Sequence, residues 1–321
     1  MRAVRVNAFG GPEELRLDEV PDPRPPAAGE VLVRLRAAGV NPVETYVRAG
    51  QYARLPELPF TPGSDGAGVV EAVGDPASTL RAGERVYTSG SLTGTYAEAA
   101  LCPVDHVHAL PDGIGFSEGA ALGVPYATAH RALFQRGGLR AGELVLVQGA
   151  SGGVGLAAVQ LAVAAGAEVH GTTGSDAGCQ LAAAQGARLV IDHRAPGHVD
   201  ELRAASGGRG YDLIVEMAAH ATLPADLELL AARGRVVVVG SRGPVEINPR
   251  ELMGRDADLR GLLLWNVPAG ELAEIHAALY EGLAAGRLRP VVARELPLGE
   301  AGEAHRAVVV GPAAGKIVLV P

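Results

Sequence analysis

A glycine-rich turn between an apolar run and a helix-like segment constrains the fold more than any other feature. It spans residues 148–155, Gln-Gly-Ala-Ser-Gly-Gly-Val-Gly, and follows the apolar run Leu-Val-Leu-Val at 144–147. Glycines in this context permit a tight turn, close approach of a pyrophosphate to the backbone, and close packing of the helix on the strand. The N–H groups at the start of the helix then bind phosphate, because they have no partner within the helix.

The helix dipole contributes only about 0.3–1 kcal/mol to such binding, so several directed N–H bonds must supply the rest. We therefore predict a dinucleotide site rather than a tight turn without a ligand. Its phosphate-binding residues are predicted to be Ser151, Gly152, Gly153, Val154 and Gly155.

Apolar runs alternate with helix-like segments around this turn. Strands are predicted at 168–171, 189–191, 212–216 and 235–240, and helices at 156–165 and 181–185. Near-continuous apolar strands that alternate with helices indicate a parallel sheet covered on both faces. Because parallel crossovers are right-handed, the sequence predicts a doubly wound Rossmann domain, which we assign to residues 123–265.

The flanking stretches have a different pattern. Residues 1–122 contain short β-like runs, such as 31–35 and 67–73, and prolines at 21, 23, 25 and 26 prevent regular structure early in the chain. This pattern predicts a mostly β catalytic domain. Residues 266–321 contain a helix-like stretch at 269–285 and a last strand at 316–320, and we expect them to return to that first domain. The predicted fold class is α/β.

Composition restricts the function classes. The net charge is −8 and only 4% of residues are aromatic, which disfavours a basic, base-stacking groove for nucleic acid. Two distant cysteines predict no disulfide, and the lack of a signal-peptide pattern or an apolar run of about 20 residues predicts a cytoplasmic protein without a membrane span. Lys316 is the only lysine, which we attribute to genome composition.

The residues after the second strand indicate the type of dinucleotide. NAD enzymes usually have Asp or Glu about 20 residues after the turn, where it binds the ribose hydroxyls. This chain has Thr173, Gly174 and Ser175 there, and Asp176 comes slightly late. Hydroxyls without a carboxylate suit a 2′-phosphate, and His193 and Arg194 add positive charge unless they are only solvated loop residues. We therefore predict NADPH as the cofactor, with equal kcat/KM for NADPH and NADH as the contrary result.

Several motifs together resemble one family. They are residues 39–46, 61–69, 149–155, 193–194, 216–217 and 234–249. These segments resemble the zeta-crystallin-like NADPH:quinone oxidoreductases of the medium-chain dehydrogenase/reductase superfamily. The resemblance covers nearly the whole chain. It implies a GroES-like catalytic domain beside the Rossmann domain, an active site in the cleft between them, and a homodimer or homotetramer.

The resemblance also bears on metal binding. Zinc alcohol dehydrogenases of this superfamily have Cys after the glycine of the first motif and His after the glycine of the second. This chain has Asn41 and Ser64 at those positions, and two cysteines cannot form a four-cysteine structural lobe. Because zinc requires three or four close N, S or O ligands, we predict no metal site.

Candidate residues for the nicotinamide end follow from the resemblance and from strand ends. Asn41 and Tyr46 resemble the family residues that line the nicotinamide cleft. There Asn41 would hold a water or a carbonyl oxygen, and Tyr46 would hydrogen-bond the cofactor ribose or a quinone oxygen. The alternative for Tyr46 is a buried aromatic with a satisfied hydroxyl. At strand ends, where open α/β sheets bind ligands, we expect cofactor contacts from Gly240, Ser241, Arg242 and Trp265. Arg242 in an interdomain salt bridge and Trp265 in the core are the alternatives. Tyr126 and Thr128 open the helix that joins the domains, so we expect them to contact the nicotinamide side of the cofactor. The sequence leaves the role of His220 open.

The predicted activity is NADPH-dependent reduction of quinones without a metal. A quinone is already electrophilic, so the protein mainly orients the reactants and excludes water. The resemblance favours one-electron reduction to a semiquinone. NADPH-dependent reduction of activated double bonds, as in 2-alkenals and enones, is the alternative, and single-stranded nucleic-acid binding is less favoured. The sequence leaves the physiological quinone, the proton donor and regulation open.

Overall fold

The computed structural model describes residues 1–76, 78–310 and 314–321. The chain divides into two compact units. The first contains Met1–Val124 and most of the chain from His276 onward, and the second contains Pro125–Ile275. No helix among the described residues has both the length and the apolar character that a membrane span requires.

The strands are β1 (Arg2–Val6), β2 (Leu15–Glu19), β3 (Glu30–Gly39), β4 (Asp65–Val73), β5 (Arg85–Ser89), β6 (Ala99–Pro103), β7 (Val107–Ala109), β8 (Leu144–Val147), β9 (Glu168–Thr173), β10 (Leu189–Asp192), β11 (Tyr211–Glu216), β12 (Leu230–Val238), β13 (Asp258–Gly261), β14 (Val292–Pro297) and β15 (Lys316–Val320). The helices are α1 (Pro42–Arg48), α2 (Phe116–Gly119), α3 (Gly123–His130), α4 (Gly153–Ala164), α5 (Asp176–Ala184), α6 (His198–Ala205), α7 (Ala219–Leu229), α8 (Pro249–Met253), α9 (Ala269–Ala284) and α10 (Ala301–Val310).

The second unit is built on a parallel sheet with the strand order β10-β9-β8-β11-β12-β13. The order runs one way from β8 to β10 and the other way from β11 to β13, so it reverses between β8 and β11. Open α/β sheets bind ligands outside the carboxyl ends of the strands at such a reversal. All four residues of β8 are buried, as its unbroken apolar run predicts. The predicted Rossmann fold is confirmed.

Helix boundaries in this unit differ from the sequence prediction. Helix α4 begins at Gly153, three residues earlier than predicted, because glycines in the turn disguise its first residues. Helix α5 begins at Asp176, five residues earlier than predicted, because the Ser175 hydroxyl accepts a hydrogen bond from Gly178 N at 3.1 Å and caps the helix. Helix α7 was not predicted, since Pro224 interrupts its sequence pattern.

The first unit is mostly β, as predicted. Its main sheet has the order β14-β15-β3-β4-β5-β7, and β6 also pairs with β3. Strands β3 and β4 lie so close at Gly68 that a Cβ there would stand 2.0 Å from the carbonyl oxygen of Arg34. The last strand, β15, pairs in antiparallel register with the end of β3, with Leu319 opposite Ala38. The last strand of the chain therefore lies in the first unit.

The prediction that Trp265 ends a strand is wrong. Strand β13 ends at Gly261, and Trp265 lies in a 3-10 turn, Leu264–Asn266. The guanidinium of Arg131 holds this segment by donating to the carbonyl oxygens of Leu263 at 3.1 Å and Asn266 at 3.4 Å. Trp265 is 40% exposed, so the alternative that placed it in the core is also wrong.

Candidate functional site

The glycine-rich turn joins β8 to α4 in the second unit. Gly149 has a φ of +70°, a conformation that residues with a side chain rarely adopt. At Gly155 an added Cβ would stand 2.2 Å from the carbonyl oxygen of Gly149. Gly152 precedes the helix and contributes no side-chain cap, so no side chain of the turn competes for the N–H groups at the helix start. The turn is therefore a backbone cradle for an anion.

The end of β9 has hydroxyls where many dinucleotide sites have a carboxylate. Thr173 is fully buried, and its hydroxyl donates to the Ser175 carbonyl oxygen at 3.1 Å. Gly174 lies against the ring of His193, whose Nε2 would be 3.1 Å from an added Cβ. Asp176 is exposed in the first turn of α5. The strand end itself, residues 172–175, therefore has no acidic side chain.

The positive charge predicted beside this strand end is partly neutralised. Arg194 donates through Nη2 to Asp192 Oδ2 at 2.8 Å and through Nε to Oδ1 at 3.1 Å. This pairing holds the pKa of the Asp192 carboxyl at about 2. Burial lowers the pKa of His193, so the ring is neutral at neutral pH. At this strand end, the described residues therefore offer a phosphate hydrogen-bond donors rather than a net positive charge.

The ends of β11 and β12 lie side by side. Arg242 N donates to His220 Nδ1 at 3.2 Å, and this bond connects the two segments. The His220 ring therefore accepts a hydrogen bond from the backbone. Gly240 lies against Met217, whose carbonyl oxygen would be 2.6 Å from an added Cβ. Ser241 and Arg242 are exposed, and the Arg242 guanidinium forms no ion pair within the part of the chain that the structure describes. It is therefore available to a ligand.

Tyr126 and Thr128 are both buried on α3. The hydroxyl of Tyr126 donates to Gln160 Oε1 at 2.9 Å, on α4. This hydroxyl is thus engaged inside the second unit.

The first unit contains a buried polar cluster around Asn41, which we call the Asn41 cluster: Asn41, Glu44, Asp65, Tyr96 and Lys316. Asn41 Nδ2 donates to Asp65 Oδ2 at 2.9 Å and to Glu44 Oε1 at 3.2 Å. The Lys316 ammonium donates to Asp65 Oδ2 at 2.8 Å and also to Asn41 Oδ1. Tyr96 Oη donates to Glu44 Oε2 at 2.6 Å. Each atom of the Asn41 amide therefore already has a protein partner.

Burial dominates the electrostatics of this cluster. Burial raises the pKa of Glu44, and the Lys316 charge and the Tyr96 hydrogen bond oppose that rise. Burial, with the neighbouring Glu44 charge, raises the pKa of Tyr96 well above its ordinary value, so the hydroxyl stays protonated. Beyond Tyr96 lies His305, at 3.1 Å from the hydroxyl, and burial lowers its pKa to about 3. The ammonium of the single lysine thus lies between two buried carboxyls.

Sequence reasoning identified Asn41 and missed its partners Glu44, Asp65 and Lys316. It also attributed the single lysine to genome composition, whereas Lys316 is only 4% exposed and forms an ion pair. The sequence contained a useful signal for this, because the single lysine of the chain belongs to an apolar strand. That placement indicates a specific role for the lysine ammonium. Tyr46 is half-buried on α1, the helix that begins beside Asn41.

Two family models match the chain. Residues 27–112 match an alcohol dehydrogenase GroES-like domain, and residues 153–279 match a zinc-binding dehydrogenase domain. Quinone oxidoreductases from Homo sapiens and Rattus norvegicus are 48% and 46% identical to the chain, over 92% of this chain and 90% of each relative. The chain belongs to the quinone oxidoreductase family. The predicted family is confirmed.

Solved structures extend this similarity. Quinone oxidoreductase from Escherichia coli, complexed with NADPH, superimposes with a TM-score of 0.90 at 30% identity. The mycobacterial protein Rv1454c, also complexed with NADPH, superimposes with a TM-score of 0.91 at 31% identity. Each alignment covers 100% of this chain and of the other chain.

The zinc implied by one of the family models does not suit the side chains of this chain. Asn41 and Ser64 occupy the two positions where zinc alcohol dehydrogenases have Cys and His. The neighbouring Asp65 already accepts from the Lys316 ammonium, which supplies the positive charge beside that carboxylate. Across the described residues, no group of three or more His, Cys, Asp and Glu side chains is placed to hold a metal ion.

Proposed function

We propose that this protein reduces quinones with NADPH and needs no metal ion. The observation that carries the proposal is the glycine-rich turn at the start of a helix, where the backbone leaves no room for a side chain at Gly155. The chain that contains this turn is 48% identical to human quinone oxidoreductase. The turn would hold the pyrophosphate through backbone N–H groups, and NADPH when bound supplies the reducing electrons.

The choice of NADPH is supported by the end of β9. Thr173 and Ser175 supply hydroxyls, and His193 lies against Gly174, so a 2′-phosphate meets no carboxylate at this strand end. The two NADPH complexes among the solved relatives support the same cofactor. Gly240, Ser241 and Arg242 remain our proposed cofactor contacts after the end of β12. Trp265, in the turn that follows β13, is a further proposed contact.

The first unit offers polar groups but no free strong base at Asn41. The Asn41 amide is held by Asp65, Glu44 and Lys316, so we assign it the role of a fixed polar surface. Tyr46 is the proposed hydrogen-bond donor to a quinone oxygen. This division suits an electrophilic substrate, which requires orientation and exclusion of water more than deprotonation.

A substrate panel tests the proposed activity. We expect turnover of 1,2-naphthoquinone with NADPH, no stoichiometric zinc in the purified protein, and an electron spin resonance signal from the one-electron product.

Tyr46→Phe should lower kcat/KM for the quinone, and an unchanged value would remove Tyr46 from the reaction. Turnover of a short enone or crotonyl thioester without quinone turnover would instead assign the protein to double-bond reduction.

Cofactor choice is tested by a matched pair of variants at Ser175. Both Asp and Asn cap helices well, so Ser175→Asp and Ser175→Asn should preserve α5. The added carboxylate should repel a 2′-phosphate, and we expect Ser175→Asp to reduce kcat/KM for NADPH by roughly 10–100-fold, or about 1.4–2.8 kcal/mol. Ser175→Asn should stay near wild type. Equal effects of both variants on NADPH and NADH kinetics would contradict the assignment.

A homodimer or homotetramer and a cytoplasmic location also remain proposals. The two cysteines, Cys102 and Cys179, are free thiols, which suits a reducing compartment. Sedimentation equilibrium and cell fractionation test the two proposals separately.

A further inference from the structure

Two carboxyl groups are buried together at the point where the strand order of the parallel sheet reverses. Glu216 ends β11, Asp226 lies on α7, and neither side chain is exposed to solvent. Glu216 accepts hydrogen bonds from the Thr222 hydroxyl at 2.6 Å and from Ala218 N. The proposed function gives neither carboxyl a role.

A chain of hydrogen bonds connects Asp226 to the first peptide of the glycine-rich turn. Gln148 Nε2 donates to Asp226 Oδ1 at 2.6 Å, and Gln148 Oε1 accepts from the Thr172 hydroxyl at 2.5 Å. The same hydroxyl oxygen accepts from Gly149 N at 3.3 Å. Gln148 and Thr172 are also buried. We call these four residues, from Asp226 to Gly149, the turn relay.

The surroundings of the two carboxyls favour a proton on Asp226. Their contacts within the described residues are Gln148, Thr222, the Ala218 N–H and each other, and none of these is positively charged. Burial, followed by the interaction with Glu216, raises the pKa of Asp226 well above its ordinary value. Asp226 Oδ2 receives no donor from the described protein, so a proton on this oxygen can be donated to Glu216.

A protonated Asp226 fixes the direction of every bond in the turn relay. Its Oδ1 accepts only, so it orients the Gln148 amide with the nitrogen toward Asp226 and the oxygen toward Thr172. The Thr172 hydroxyl must then donate to Gln148, which leaves its oxygen free to accept from Gly149 N. This peptide begins the turn in which Gly149 adopts positive φ.

We infer that Asp226, held neutral against Glu216, is a positioning residue that sets the glycine-rich turn through Gln148 and Thr172. The inference rests on the proposed binding of NADPH at that turn. A turn displaced by a fraction of an ångström would lose directed N–H bonds to the pyrophosphate, while the reacting groups would be unaffected once the cofactor is bound.

The test combines Asp226→Asn, Asp226→Leu and Thr172→Val. Asn keeps an acceptor for Gln148 and a donor for Glu216, so it copies the protonated acid and should bind NADPH as wild type does. Asp226→Leu and Thr172→Val each break the turn relay, and each should raise the Kd for NADPH about tenfold in a fluorescence titration, with kcat at saturating NADPH changed less than about twofold.

Tyr211→Phe is the control for simple destabilisation. Tyr211 lies at the start of β11, far along the strand from Glu216, and its hydroxyl donates to Leu202 O at 3.1 Å. We expect this variant to lower the melting temperature without changing the Kd for NADPH. Thr172→Val also keeps the inference testable if Asp226→Leu fails to fold.

The outcomes separate this inference from the proposed function. If wild type binds no NADPH, the proposed function fails. If wild type binds NADPH but the relay variants bind it equally well, or if Tyr211→Phe weakens binding as much, the positioning role is overturned. Infrared spectroscopy of the ligand-free protein provides an independent check, since a protonated carboxyl band at neutral pH should be absent in Asp226→Asn; no such band in wild type would also overturn the role.

Discussion

Gly155→Ala is expected to lower NADPH affinity by more than about a hundredfold, since misplacing a binding group by about 1 Å already costs that much. The added Cβ would stand 2.2 Å from the Gly149 carbonyl oxygen and 2.8 Å from backbone carbons of Ala150. These neighbours are backbone atoms, so no side chain can rotate away to make room. The turn would have to open, and its N–H groups would no longer converge on one point.

Gly270→Ala is the matched control, because it makes the same substitution in the first turn of another helix in the same unit. An added Cβ at Gly270 meets nothing within 4 Å, and Ala favours helix by about 1 kcal/mol over Gly. We expect unchanged NADPH affinity and an equal or higher melting temperature. Fluorescence and calorimetric titrations measure both variants. A Kd for Gly155→Ala within about threefold of wild type would show that the turn does not depend on this close approach.

Lys316→Met is expected to destabilise the first unit by about 3–5 kcal/mol, because it leaves a buried carboxylate without its cation. Asp65 is fully buried, and Lys316 Nζ lies 2.8 Å from its Oδ2. The nearby Glu44 loses the charge that opposes the effect of burial, so its pKa should rise further. Because total stabilities are commonly about 5–15 kcal/mol, this one change removes a large share. Urea denaturation followed by circular dichroism measures the loss.

Strand β4 also takes part in a second ion pair, which provides a matched control for this prediction. Arg34 on β3 pairs with Glu71 on β4 at 2.7 Å, but both side chains are more than a third exposed. An exposed pair contributes about 0–1 kcal/mol, so Arg34→Met should change the urea midpoint little. The double variant Lys316→Met, Asp65→Asn should recover part of the loss, because it removes both charges. If Lys316→Met and Arg34→Met destabilise equally, Lys316 has no special role in the Asn41 cluster.

Sequence reasoning was most successful where the signal is local. The unbroken apolar run of β8, the glycines after it and the strand–helix alternation predicted the parallel sheet, and the comparisons confirm the family. Local cues failed at helix ends and at Trp265. The start of α5 depends on a serine cap that resembles loop sequence. The segment after β13 accepts hydrogen bonds from Arg131, which lies 132 positions earlier than Leu263.

The order and apolar character of neighbouring residues were sufficient to predict the Rossmann unit. Each of the strands that flank the turn is close in sequence to the helix that follows it, and the residues of the glycine-rich turn are eight consecutive positions. The polar clusters depended on long-range pairing. Lys316 meets Asn41 across 275 positions because β15 pairs with the end of β3, and Gln148 meets Asp226 across 78 positions. Burial then decides which of these groups keep a proton, and the burial of a polar side chain depends on long-range pairings that no local pattern encodes.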